Sequence, residues 1–249
     1  MRHLLRKIRP TNGLSYFLHL GLVLILPVVV FVLVYSNFVQ LALAVVVLSK
    51  WRMFAVKPRF WPANMRANAV DLMVGLSIVL FMAHSTGLAV QLLWAVLYGI
   101  WLVAVKPRSS VPMITAQAFT GQFAALSALY LVWADGSVYG LTLLSGLFCY
   151  LAARHFLDAF DEPYAKMLAY TWAYFGAALT WLLSHWLLFY SGLAQPTLLL
   201  SVVGYGIALL YYLDHEERLR PVARRQFIFI MVAIIIVVLA FSDWGDKVV

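Results

Sequence analysis

Residues 37–54, NFVQLALAVVVLSKWRMF, decide how this chain is folded, because the number of membrane crossings turns on whether they make one. The uninterrupted apolar run, Leu41 to Leu48, is short, whereas a hydrocarbon core about 30 Å thick takes about 20 helical residues to cross. To span, the segment must borrow Trp51 and Met53 while Lys50 and Arg52 snorkel to the headgroups; otherwise it lies at the interface.

Around this stretch the composition sets the class. The 249 residues are 64% hydrophobic and 11% charged, with a mean hydropathy of +0.90, which water cannot solvate as a globule. The chain reads as an all-α, polytopic transmembrane helical bundle of about nine spans. These are residues 14–35, 37–54, 68–84, 87–105, 112–133, 138–156, 164–189, 196–213 and 226–243. They make one transmembrane domain over 1–249, without room for a separate soluble domain, integral to the cell's inner membrane.

Charge orients the threading, since Lys and Arg in short loops stay cytoplasmic. With nine crossings every Lys and Arg except Lys247 falls on one side, so the amino terminus is inside and the carboxyl terminus outside. If residues 37–54 did not cross, the basic residues of the amino terminus would face away from the others. The net charge of +8 is thereby explained by topology, and nucleic acid is not an expected partner. A lone Cys149 excludes an intramolecular disulfide and reads as a small buried apolar residue.

The pentapeptide Ala55-Val56-Lys57-Pro58-Arg59 recurs as Ala104-Val105-Lys106-Pro107-Arg108, each copy following a tryptophan, Trp51 or Trp101. Two readings fit. Helical hairpins within 37–84 and 87–133 are duplicated, or a cation followed by a helix breaker simply ends a span at the inner interface.

Within the spans Asp71 is the functional pointer, because an intramembrane carboxylate is costly and needs a partner. It reads either as a capping residue with Asn68, with Arg66 or Lys50 as counter-ion, or as a proton or cation site. Thr115, Gln117, Thr120 and Gln122 on the fifth span, and Tyr170, Thr171, Tyr174 and Thr180 on the seventh, are expected to line the bundle interior or a cavity. The candidate binding residues are Asp71, Gln117, Thr120, Gln122 and Tyr174.

A denser reactive cluster follows the sixth span: His155, Asp158, Asp161 and Glu162. Three carboxylates suit a hard divalent cation such as magnesium, with His155 as a base. They also suit structure, with Asp161 capping the next helix, Pro163 in its first turn and Asp158 paired with Arg154. The nine spans, this acidic loop and the entry segment Arg9-Pro10-Thr11-Asn12 make a topology similar to the UbiA superfamily of membrane prenyltransferases, a likeness that implies magnesium and an isoprenyl diphosphate. Asn64 to Asp71, before the third span, holds one carboxylate where that family has several, so the likeness is one of topology.

His84 and His185 near outer span ends, with His19 and His155 near inner ones, have the layout of axial ligands to two haems; ordinary hydrogen bonding between helices carries more weight. Arg218, Arg220, Arg224 and Arg225 face the anionic headgroups of the cytoplasmic leaflet, so membrane lipids are the expected partners. The leading functional expectation is binding or transport of a small or lipid-like molecule within the bundle. Two alternatives stand: a cytoplasm-facing enzyme acting on a lipid or isoprenyl diphosphate with a divalent cation, and a non-catalytic scaffold subunit. Oligomeric state is left open.

Overall fold

Four helices carry a proline at their first or second position, where it lacks only an N–H that a first helical turn leaves unpaired and its ring presets the helical φ: α3 (Trp61–Ala67), α6 (Val111–Trp133), α9 (Gln195–His215) and α10 (Pro221–Phe241). In the computed structural model, which describes residues 13–160, 162–185, 189–190 and 192–242, they join α1 (Gly13–Tyr35), α2 (Val39–Leu48), α4 (Ala69–Ala83), α5 (Leu88–Ile100), α7 (Val138–Leu157) and α8 (Ala165–Ser184). The fold is all-α apart from a two-stranded antiparallel hairpin, β1 (Phe189–Tyr190) and β2 (Leu193–Ala194), between α8 and α9.

Connections at the expected outer side are tight. Between α1 and α2, Asn37 takes a left-handed φ of 63°, and the amide of Phe38 reaches back to the Leu33 carbonyl at 2.8 Å, closing the helix end. Gly192, with φ at 88°, turns the small hairpin, an element the composition gave no sign of.

The first half of the chain wraps α1, α2, α4 and α5 around Val30, Val46, Val74, Ile78, Met82 and Tyr98. Close approach at Gly75 allows this, since a Cβ there would lie 2.8 Å from both Tyr98 Oη and Val46 Cγ1. In the second half, α7 and α8 form an antiparallel pair through small residues: a Cβ at Gly176 would lie 2.6 Å from Cys149 Sγ, and one at Gly146 3.2 Å from Ala177 Cβ. Cys149 is fully buried there as a packing residue. The hydroxyl of Tyr130 on α6 donates to Thr180 on α8 at 3.1 Å and lies 3.3 Å from Ser145 on α7, so three helices share one buried polar knot.

Among the described residues four stretches are long and apolar enough to cross a membrane: Leu88–Val105, Val138–Leu157, Gln195–His215 and Pro221–Phe241. A fifth appears if Pro58–Ala67 and Ala69–Ala83, bent by 65° at Asn68, are one broken span. Residues 37–54 do not form a full-length helix. The ten residues of α2 rise about 15 Å, half of a hydrocarbon core, before a 3-10 turn over Trp51–Met53. Met53 is buried as the segment needs, Trp51 is exposed, and Lys50 does not snorkel: its side chain is 9% exposed and points inward to a carboxylate.

Candidate functional site

The carboxylate is Asp71, in the first turn of α4 and 7% exposed. Lys50 and Lys106 both bind its Oδ2, Lys106 at 2.5 Å, and the indole of Trp101 donates to Oδ1 at 2.9 Å. The end of α5 makes this reach possible. Residues Trp101–Val105 form a π turn, in which the amide of Lys106 bonds the Trp101 carbonyl at 2.8 Å, bringing residues five apart near to alignment where a 3.6-residue turn would splay them. Of the counter-ions expected from sequence Lys50 is present and Arg66 is not; Arg66 lies 3.8 Å from Asp158 instead. Asn68 stands at the start of α4 but its side chain does not cap it: the side-chain amide donates to the Asn64 carbonyl at 2.9 Å, and the Asp71 carboxylate is taken by the two ammonium groups.

Gln117 fastens the loop that follows. Its amide donates to the carbonyls of Val105 at 2.8 Å and Arg108 at 2.9 Å, and its Oε1 lies 3.1 Å from His155 Nε2. A run of polar contacts therefore leads from Asp71 through the α5–α6 loop to α7. Gln122 is equally committed, accepting from the Trp172 indole at 2.9 Å and donating to the Leu200 carbonyl at 3.1 Å. It borders a cavity of about 440 Å³ among α6, α7, α8 and α9, next to Thr171 and Tyr211. Thr120 and Tyr174 point the other way. Both are exposed, Tyr174 at 77%, because α6 and α8 turn their small residues inward, Gly121 and Ala125 on one and Ala169 and Gly176 on the other, leaving larger side chains outside.

The acidic cluster is dispersed into structural contacts. Asp158 takes Arg154 at 2.6 Å, the i, i+4 pair expected; Glu162 accepts from the Tyr211 hydroxyl and, at 3.3 Å, from the Tyr164 amide. α8 starts at Ala165, so Pro163 precedes the helix instead of standing in its first turn, and Asp161 lies outside the described residues. Among the described residues no three His, Cys, Asp or Glu side chains are grouped to hold a metal ion. His84 lies 2.9 Å from the Leu80 carbonyl, and His185 is likewise paired with its own helix; the side chain of His19 is outside the described set.

A second, wider concavity is one the sequence did not mark. A groove of about 1260 Å³ runs between α4, α6 and α7, closed at one end by α3. Leu72, Leu76 and Leu80 of α4 face Ala125, Leu129 and Val132 of α6, with Leu147 and Phe148 of α7 as a side wall. Helices α4 and α6 meet closely at one level, where a Cβ on Gly121 would lie 2.8 Å from Val70 Cγ1, and the groove begins beyond that contact. Among the described residues its charged lining consists of two guanidinium groups, Arg59 and Arg66, both at the α3 end, and Trp133 stands at the other. Arg59 was visible in sequence as the last residue of the first pentapeptide copy and Arg66 as a basic residue before Asp71; that both open onto one groove required the 65° bend that lays α3 across the end of α4. No protein-family model, no curated protein and no solved structure matches the chain.

Proposed function

We propose that this chain is an integral membrane protein that holds a lipid-like molecule in the groove between α4, α6 and α7. The observation that carries the reading is the groove itself: at about 1260 Å³ it exceeds the roughly 300–1,000 Å³ of ordinary small-molecule sites, and its walls are apolar from Trp133 to the arginines. Leu147, 47% exposed, and Val132, 48% exposed, leave the groove open along one side, so a chain can enter laterally from a bilayer without passing through water. Asp71 belongs to the scaffold in this reading: its charge is spent on Lys50, Lys106 and Trp101, and it fixes the α2 and α5 ends against α4.

The topology we assign keeps the nine crossings, with α2 and the turn after it together making the short second one and the amino terminus in the cytoplasm. Support comes from the one-sided distribution of Lys and Arg, and the α3 end of the groove then opens to the inner leaflet. The test is lipid retention. Full-length protein purified in a mild detergent should carry co-purifying lipid detectable by native mass spectrometry, and filling the groove with the double substitution L76W/L147W should reduce it severalfold at unchanged helix content. Equal retention in the two proteins would remove the groove as the binding site.

A further inference from the structure

Resting on that lipid reading, we infer that the groove selects a phospholipid of net negative charge from the leaflet on the α3 side, its phosphate held between Arg59 and Arg66. The charge at the mouth is unbalanced. Arg154 holds Asp158 Oδ1 at 2.6 Å, whereas Arg66 only reaches the other oxygen at 3.8 Å, the far limit of an ion pair, with both side chains open to the surroundings (38% and 43% exposed). Asp158 is therefore chiefly the counter-ion of buried Arg154, and Arg66 is half neutralised. Among the described residues no carboxylate pairs with Arg59; its guanidinium lies 4.5 Å over the Phe60 ring, held on an exposed 3-10 turn beside the groove.

Two planar guanidinium groups at one end of an apolar channel match a phosphate joined to hydrocarbon chains, because each fork offers paired donors to phosphate oxygens while the chains take the leucine-lined walls. Other polar groups on the lining do not compete for the headgroup. Ser77 donates to the Met73 carbonyl at 2.7 Å within its own helix, and Tyr150 packs its ring 5.0 Å from Tyr170. Depth agrees as well: Trp51, Phe60 and Trp61 are exposed around the α3 end, as aromatic residues are at the level of lipid headgroups. The net positive charge at the mouth favours a lipid such as phosphatidylglycerol over a zwitterionic one, whose own cation meets no unpaired carboxylate there among the described residues.

The experiment uses full-length protein in zwitterionic detergent micelles, offered phosphatidylglycerol and phosphatidylcholine of identical acyl chains and read by native mass spectrometry. Wild type should retain phosphatidylglycerol about tenfold over phosphatidylcholine, R59Q/R66Q should bring the ratio close to one with total lipid retained, and added inorganic phosphate should displace neither. Should the double variant fold poorly, R59Q alone, on an exposed turn, should reduce the ratio by about half its logarithm. A wild-type ratio near one, or a preference surviving both substitutions, overturns the inference and leaves the groove reading standing. Displacement by inorganic phosphate overturns the lipid as the phosphate's source. Loss of the groove reading shows differently, as lipid retention indifferent to L76W/L147W.

Discussion

Asp71 accepts from two lysines and an indole while 7% exposed, so the consequences of changing it depend on which charge is left behind. Replacing it by asparagine strands two ammonium groups against each other, and breaking a buried pair in this way costs about 3–5 kcal/mol. D71N should therefore lower the unfolding temperature strongly in detergent. K106M should be much milder, because it leaves Lys50 and Asp71 as a neutral pair and takes away the second ammonium group. Thermal unfolding followed by circular dichroism checks the order; a K106M protein as unstable as D71N would refute the account. At Gln117 the same reasoning gives a different readout. Leucine there frees the carbonyls of Val105 and Arg108 and the ring of His155 together, so amide hydrogen exchange should rise in residues 105–110 before global stability falls.

At the scale of the helices, small residues set the distances. Gly121 lets Val70 into the α4–α6 crossing, and G121L must push the two helices apart, an overpacking cost of about 1–3 kcal/mol that should also change the groove beyond the contact. Reduced lipid retention accompanying reduced stability is the expected signature. The last helix is attached differently. Only 6% of the apolar stretch Pro221–Phe241 is buried, and it is held to α9 where Met231 fills the notch above Gly206 and where Gln195 donates to Ser242 at 3.1 Å. G206L should loosen α10 selectively, seen as faster proteolysis in the 216–220 turn with little change in the unfolding of the rest. Periodicity could not foresee this attachment, because α10 is apolar all round and advertises no face.

For the whole molecule, orientation is the claim on which the groove's biology hangs. A phosphatase fused after residue 249 should be active only outside the cytoplasm, and a fluorescent protein at the same place should stay dark; the reverse pair of results would turn the α3 end of the groove to the opposite leaflet. Much of the helical plan was legible in sequence, since the expected segments and the helices agree within a few residues at α1, α4, α5, α6, α7 and α9. Misjudged were segments whose ends are set by contacts: α2 stops at Leu48, where Lys50 turns to Asp71, and α8 closes at Ser184, ahead of the hairpin.

What the sequence determined by itself is its class: hydrophobic runs too long for a soluble core, with short charged stretches between them, are local properties that need no fold to be read. It also marked Asp71 as needing a partner, Cys149 as a packing residue and Asp158 as paired with Arg154. The tertiary structure alone decided which partner and which void. Lys106 reaches Asp71 through a π turn no propensity foretells, Tyr174 faces outward because the small residues of α8 claim the interior, and Arg59 and Arg66 share a groove only because the chain bends at Asn68. Each of these depends on the relative placement of helices distant in the chain, and close packing, not local preference, fixes that placement.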